Sequence, residues 1–226
     1  MRRHAYSGAS LITDVRRASE QIDSLVAIGD LAVPTRLPGW TARHLVAHLY
    51  RDFERLALAC TTRCEGAPAV DDVTYWRSYD RTANAARTTA RAAEIISRFQ
   101  TDDALIAGWR SMWRQALEDA ASADPRTVVT TWGPTMQLHH LIGTRLLEVV
   151  VHGLDLADAR GTPRVVDASA LSYVDTVLQA LAPSPDVRLA TWDDVTWIEK
   201  AAGRIPLTSS ERVALGERAH AIPLLA

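Results

Sequence analysis

Apolar residues recur every three or four positions along most of the chain, which is the spacing of one buried face on an amphipathic helix. In the first such segment Leu11, Val15 and Ile22 share a face, and Gly29 marks its end. The same pattern predicts helices at residues 9–29, 41–60, 75–99, 101–120, 135–161, 167–181, 191–202 and 209–221.

Capping residues indicate where the predicted helices begin. Thr41 follows a connector that contains Pro34 and Pro38, and threonine is a favourable N-cap for the second helix. Thr135 is expected to cap the long helix that ends near Gly161, after an irregular connection at residues 121–134. The caps and the helical spacing together define a succession of helices joined by short connections.

Neither an alternation of strands and helices nor a repeat of about 20 to 50 residues is visible. The sequence therefore predicts an all-α fold in which the longest helices form a four-helix bundle. We expect the bundle in residues 1–162 and a short helical C-terminal extension in residues 163–226. A homodimer formed through one face of the bundle is compatible with this architecture.

Composition excludes several classes of protein. The net charge of the 226 residues is -2, and no block rich in arginine or lysine provides an electrostatic surface for nucleic acid. Cys60 and Cys64 are too few for a disulfide framework, and no apolar run approaches the roughly 18 residues of a membrane-spanning helix. The absence of a signal-peptide pattern completes the prediction of a cytoplasmic protein with no nucleic-acid or membrane partner.

A glutamate and a histidine lie four residues apart near the end of the longest predicted helix. Residues at this spacing lie one above the other on a helix, so Glu148 and His152 can direct their side chains to the same point. Asp155, three residues further on, lies close enough to support His152. A carboxylate and an imidazole that converge in this way form half of a metal site.

The second predicted helix carries the best candidate for a third ligand. His48 lies in the apolar run Leu45 to Leu49, and Asp52 follows it one turn later as a candidate supporting residue. His48, Glu148 and His152 together would provide two imidazoles and one carboxylate. A catalytic zinc site likewise has three protein ligands and keeps one position open.

The spacing alone leaves other interpretations open. Glutamate and histidine occur four residues apart by chance on many helices, and Glu148 could instead form a structural ion pair with Arg145. The apolar surroundings argue that Glu148 has some positive or hydrogen-bonding partner, because a buried carboxylate without one is costly. His44, at the start of its helix, is interpreted as a helix-start residue.

Two stretches of the chain are PGWTARHLVAHL at residues 38–49 and EVVVHGLDLA at residues 148–157. Together they resemble the mycothiol-dependent maleylpyruvate isomerase family, which belongs to the DinB-like metal-binding helical bundles. The resemblance covers about residues 8–160 and implies that His48, Glu148 and His152 bind a divalent metal, most often zinc.

The same resemblance implies a function. The resemblance implies that mycothiol binds as a thiolate at the metal and attacks a small electrophilic substrate, in an isomerisation or a transfer. The alternative is a non-catalytic metal-binding helical module that regulates or binds a ligand. Arg204, in a Gly-Arg ending similar to that of shorter relatives, could act as a catalytic residue that reaches a carboxylate of the substrate or cofactor, or could instead be a solvated or helix-capping arginine. His140 could line the cavity above the metal, but a histidine on the surface or in a supporting position beside the ligands is the more conservative interpretation.

Overall fold

The computed structural model describes residues 6–78, 80–130 and 133–225, apart from the side chains of residues 81 and 82. Almost all of the elements in these residues are helices, so the all-α prediction is confirmed. Among the described residues, no helix is both long and apolar enough to cross a membrane. The elements are α1 (Gly8–Ala27), α2 (Ala42–Thr61), α3 (Asp72–Ser78), α4 (Arg81–Ser97), α5 (Asp102–Ser122), β1 (Val128–Thr130), β2 (Thr135–Gln137), α6 (Leu138–Arg160), α7 (Ala168–Leu181), α8 (Asp194–Ala201) and α9 (Ser209–Leu215).

Helices α1, α2, α5 and α6 form the predicted four-helix bundle. Both α1 and α2 pack against α5 and α6, so the apolar faces of all four helices meet in one core. Trp109 and Trp113 of α5 are buried in it, and their indole N–H groups donate to Asp23 of α1 at 2.8 and 3.3 Å. Helix α6 has buried residues on nearly every side, which makes it the central helix of the protein.

The prediction of one continuous helix at residues 75–99 is wrong, because the structure contains two helices there. Helix α3 ends at Ser78, and Asp80 caps the start of α4 by accepting a hydrogen bond from the backbone of Ala83 at 2.9 Å. An aspartate N-cap stabilises the start of a helix because its side chain accepts a hydrogen bond from a backbone N–H that would otherwise lack a partner. Helix α4 then lies against α2 on the outside of the bundle.

The expected irregular connection at residues 121–134 contains part of a small hairpin, whose residues 131 and 132 lie outside the described ranges. Strand β1 pairs antiparallel with β2, and the buried side chains of Val129 and Met136 are opposite each other. The prediction that Thr135 caps α6 is therefore wrong, since Thr135 belongs to β2 and the N-cap is Gln137. The backbone oxygen of Thr135 instead accepts hydrogen bonds from the backbone N–H groups of Ala69 and Val70.

The C-terminal extension packs onto the bundle. Helix α7 contacts α1, α3 and α6, and α8 packs against α7. Helix α8 begins later than predicted because Asp193 caps it, accepting a hydrogen bond from the backbone of Thr196 at 2.6 Å. Beyond α9 the chain continues as a 3₁₀ helix, Gly216–Ala221, whose first residue has a φ of 57° that favours glycine.

Two glycines of α6 provide a matched test of this packing. A Cβ atom at Gly143 would collide with the hydroxyl of Tyr173 in α7, whereas one at Gly153 would reach only ordinary contact with Ile22 at 3.8 Å. We expect Gly143→Ala to destabilise the protein by about 1–3 kcal/mol through overpacking. Gly153→Ala should stabilise it by up to about 1 kcal/mol, since alanine favours the helix.

Urea denaturation of the two variants and the wild type measures both effects. If Gly143→Ala unfolds at the same urea concentration as Gly153→Ala, the close packing of α7 on α6 is incorrect.

Candidate metal centre

His48 is positioned by the start of α2. Thr41 is the N-cap of α2, as predicted, and its backbone N–H donates to Nδ1 of His44 at 3.2 Å. His44 is thus a helix-start residue, as the sequence predicts. The ring of Trp40 packs edge-on against His48 with 5.6 Å between the ring centroids. The Thr41 cap and the indole of Trp40 together fix the direction in which the side chain of His48 extends from α2.

Glu148 and His152 lie on the face of α6 that is turned toward α2. Oε2 of Glu148 lies 3.1 Å from Nε2 of His152 and 3.4 Å from Nε2 of His48. One candidate ligand atom from each of the three residues lies within 4.8 Å of the other two. The structure therefore brings the three predicted ligands together, although His48 and Glu148 are 100 residues apart in the sequence.

The separations suit a divalent metal. Atoms bound tetrahedrally to zinc at about 2.0–2.2 Å lie roughly 3.3–3.6 Å from one another, close to the two distances observed at Glu148. Burial alone would raise the pKa of Glu148, but hydrogen bonds with His152 and His48 outweigh it and hold the pKa well below its usual range. The carboxylate is therefore ionised, as a metal ligand must be.

The electrostatics of His152 favour a cation at the same point. Burial alone would lower the pKa of His152, yet hydrogen bonds with Asp155 and Glu148 outweigh it, and the pKa is raised. Positive charge on this imidazole, or next to its Nε2, is thus stabilised by the carboxylates around it. The donor set and its surroundings fit a metal bound by two imidazoles and one carboxylate.

Asp155 takes the supporting position that the sequence predicts. Its Oδ2 lies 2.9 Å from Nδ1 of His152, and its side chain is fully buried. A carboxylate at Nδ1 fixes the tautomer in which Nε2 carries the lone pair that binds a metal. Burial raises the pKa of Asp155, but the hydrogen bonds with His152 and Arg204 outweigh it and hold the pKa far below its usual range.

Arg204 makes a different contact from the one that the sequence predicts. Its guanidinium is buried, with Nε 2.9 Å from Oδ1 and Nη2 3.0 Å from Oδ2 of Asp155, while Nη1 donates to the carbonyl of Ala202 at 2.8 Å. Its contacts are therefore with the residue that orients His152. The expected contact with a substrate carboxylate would have to compete with this ion pair.

Two further residues in this network escape sequence reasoning. Arg36, in the connector before α2, bonds Oδ1 of Asp155 at 2.7 Å and Oε1 of Glu199 at 2.6 Å. Glu199 of α8 is buried and also bonds Arg164 at 2.6 Å. The only signal in the sequence is a glutamate directly after the apolar pair Trp197 and Ile198, which indicates a buried carboxylate in need of a cation.

Asp52 and His140 lie in positions that differ from the expected support. Oδ1 of Asp52 bonds Nη1 of Arg145 at 2.6 Å, so Arg145 pairs directly with Asp52. Oδ2 of Asp52 lies 3.7 Å from Nε2 of His48, the nitrogen that also faces Glu148, so Asp52 borders the ligand set without holding the other ring nitrogen. His140 is two turns before Glu148, and its Nδ1 lies 3.1 Å from Asp72.

The two cysteines of the protein lie outside the candidate ligand set. Both Cys60 and Cys64 are free, and burial raises the pKa of Cys60 to about 11. Cys60 lies in the last turn of α2, which ends at Thr61, and Cys64 lies in the following loop. A thiolate at this centre would have to come from a bound cofactor.

The fold and the centre together define a helical bundle with a candidate site of two histidines and one glutamate on its inner helices. The chain belongs to the family described as the mycothiol maleylpyruvate isomerase N-terminal domain, whose model matches residues 15–157. The resemblance predicted from the two sequence stretches is thereby confirmed. All three candidate ligands lie inside the matched range, whereas Glu199 and Arg204 lie outside it.

Similar proteins agree with this assignment. Two uncharacterized proteins of Mycobacterium tuberculosis, MT0041 of strain CDC 1551 and Rv0036c of strain H37Rv, are each 32% identical over 157 residues, which is 68% of this chain. The chain spans only 57% of the length of these relatives. A crystal structure of the mycothiol-dependent maleylpyruvate isomerase has the same fold, with 17% identity, a TM-score of 0.53, and coverage of 79% of this chain and 69% of that one.

The ligand set predicts a measurable metal content. Protein purified without chelators should contain about one zinc per chain, and His48→Ala or His152→Ala should retain less than about a tenth of it, because three protein ligands hold such an ion. Inductively coupled plasma mass spectrometry measures the content. His139→Ala serves as the control, since Nδ1 of this histidine faces the carbonyl of Pro125. Zinc retained in both ligand variants would contradict the assignment.

The network behind His152 predicts a change in affinity. Asp155→Asn removes the negative charge at Nδ1 and should weaken zinc binding by about 10- to 100-fold, the usual effect of losing a residue that orients a ligand. Asp158→Asn, on an exposed position of the same helix, should leave the affinity unchanged. Competition with a chromophoric chelator gives both dissociation constants. Equal affinities would show that Asp155 does not support the ligand.

Proposed function

We propose that this protein is a zinc-dependent enzyme that uses mycothiol to isomerise or conjugate a small electrophilic substrate. The observation that carries the proposal is the convergence of His48, Glu148 and His152, with their candidate ligand atoms within 4.8 Å of one another. Membership of the mycothiol maleylpyruvate isomerase N-terminal domain family supports the choice of thiol.

The three ligands would hold the metal from one side and leave a position for the thiol. When bound, zinc supplies positive charge that lowers the pKa of a neighbouring thiol and stabilises the thiolate. The side chains of His48 and Glu148 are 15% and 14% exposed, whereas that of His152 is 8% exposed. We infer that the reactants approach beside His48 and Glu148.

The remaining residues of the centre act on the ligands. Asp155 holds the proton on Nδ1 of His152, and Arg36 and Arg204 keep Asp155 ionised and in place. Arg204 is in this proposal a positioning residue that acts through Asp155. Its burial also excludes water from the Nδ1 side of His152, which strengthens each charged contact there.

An assay of mycothiol-dependent product formation tests the proposal. Zinc-loaded protein is mixed with mycothiol and either monochlorobimane or maleylpyruvate, and product formation is followed by fluorescence or absorbance. The wild type should exceed the spontaneous rate by at least about 100-fold, the contribution typical of one well-placed catalytic group. His152→Ala should return to the spontaneous rate, and Asp158→Asn should match the wild type.

A different outcome would favour the alternative function. If the wild type binds zinc but neither electrophile reacts faster than in the absence of protein, the chain is better described as a non-catalytic metal-binding module. Loss of activity in Asp158→Asn equal to that in His152→Ala would also contradict the proposal, because Asp158 lies outside the contacts described for the centre.

A further inference from the structure

We propose that Glu199 of the C-terminal extension is a positioning residue of the metal centre, which acts through Arg36 on the carboxylate that supports His152. Zinc binding and the packing of α8 on the bundle are then coupled. The inference rests on the proposed function, because it concerns the metal that this function requires. It assigns a role to a residue that lies beyond the range 15–157 matched by the family model.

Glu199 lies between two arginines. Its side chain is only 1% exposed, and each of its carboxylate oxygens bonds a different guanidinium. Oε1 accepts a hydrogen bond from Nη1 of Arg36 at 2.6 Å, and Oε2 accepts one from Nη1 of Arg164 at 2.6 Å. A carboxylate so far from water acts strongly on neighbouring charges, because little solvent lies between them to screen the interaction.

Arg36 connects Glu199 to the residue behind His152. Its Nε donates to Oδ1 of Asp155 at 2.7 Å, while its Nη1 donates to Glu199. Burial alone would lower the pKa of Arg36, but the bonds with Asp155 and Glu199 outweigh burial, and the pKa is raised. The guanidinium is therefore charged and shared between two carboxylates. Because Glu199 takes part of its charge, Arg36 neutralises Asp155 less than it would alone.

The balance of charge behind His152 depends on Glu199. The network there contains two carboxylates and three guanidinium groups, those of Asp155, Glu199, Arg36, Arg164 and Arg204. Without the charge of Glu199, three positive groups would surround a single carboxylate. The added positive charge near the imidazole of His152 would repel a metal cation at its Nε2.

The end of α8 directs two side chains to this network. The backbone oxygen of Glu199 accepts a hydrogen bond from the N–H of Arg204 at 2.7 Å. Gly203 has a φ of 70°, a left-handed conformation that favours glycine and turns the chain between them. Within a few residues the chain therefore provides a carboxylate for Arg36 and a guanidinium for Asp155. A displacement of α8 would alter both contacts.

These two contacts make the coupling reciprocal. If the packing of α8 raises the affinity for zinc by some factor, bound zinc favours that packing by the same factor, because coupling between binding free energies is symmetric. Zinc should therefore stabilise the end of α8, although the candidate ligands are on α2 and α6.

Chelator competition with the full chain and its variants tests the role of Glu199. Glu199→Gln keeps the size of the side chain but removes its charge, and it should bind zinc about tenfold more weakly than the wild type. Arg164→Gln removes a positive charge beside the same carboxylate. Because Arg164 is 43% exposed, the gain is smaller, and zinc binding should become about two- to threefold tighter. Damage to the packing alone would instead weaken binding in both variants.

Glu211→Gln is the matched control. This glutamate of α9 also bonds a buried cation of the extension, with Oε2 2.8 Å from Nζ of Lys200, and its Oε1 accepts a hydrogen bond from Trp192 at 2.6 Å. Loss of its charge should lower the urea midpoint, because the ammonium of Lys200 is left buried. The zinc affinity should stay at the wild-type value.

Hydrogen exchange followed by mass spectrometry tests the coupling. In the wild type, zinc should slow exchange of the amides of residues 199–205 by at least about threefold, and this protection should be smaller in Glu199→Gln. The amides of residues 209–215 in α9 provide the internal reference, and their exchange should not respond to zinc.

Three results would overturn the role of Glu199. They are equal zinc affinities in Glu199→Gln and Glu211→Gln, weaker zinc binding in Arg164→Gln, and exchange at the end of α8 that does not respond to zinc. Arg164 is partly exposed, so Arg164→Gln remains decisive even if Glu199→Gln fails to fold.

Product formation with mycothiol, measured on the same preparations, separates this inference from the proposed function. Zinc binding and product formation, with a zinc affinity that does not depend on Glu199, would overturn only this inference. Zinc binding that depends on Glu199, without mycothiol-dependent product, would overturn only the proposed enzyme. Absence of zinc binding by the wild type would overturn both.

Discussion

The position of Glu148, a carboxylate that is only 14% exposed in the central helix, is the constraint on which the candidate site depends. Helix α6 has apolar residues packed on nearly all sides, and a carboxylate in such a helix is costly unless positive or hydrogen-bonding groups surround it. His48 and His152 meet that requirement directly. Their positive charge or that of a metal is in turn stabilised by further groups. Alternating charges therefore run outward from the site through Glu148, His152, Asp155, Arg204 with Arg36, Glu199 and Arg164.

This charge network links parts of the chain that are far apart in sequence. The connector before α2 contributes Arg36, and the C-terminal extension contributes Glu199 and Arg204, although both extension residues lie beyond the range that the family model matches. The Nδ1 side of His152 is thereby closed by ion pairs, and the side of His48 and Glu148 is lined by arginines of α2 and α4. The centre thus has one face that supports the ligands and one face that is lined by arginines.

Much of the fold follows from local signals in the sequence. The apolar spacing that includes Leu11, Val15 and Ile22 predicts α1, and Thr41 predicts the start of α2, because both signals act within a few residues of the backbone they shape. The hairpin and the position of Thr135 were beyond such reasoning. Strand β2 is only three residues long, and it is stabilised by β1, a partner that its own sequence does not specify.

The sequence by itself determined that Glu148 and His152 share one face of a helix with Asp155 close by, since 3.6 residues per turn fixes neighbours within a helix. Only the tertiary structure decided that His48 reaches them, that Arg145 bonds Asp52, and that Arg204 is directed to Asp155. The physical reason is that contacts between helices depend on how all their apolar faces pack at once. A charged side chain, such as that of an arginine or an aspartate, then pairs with the oppositely charged group that this packing brings near.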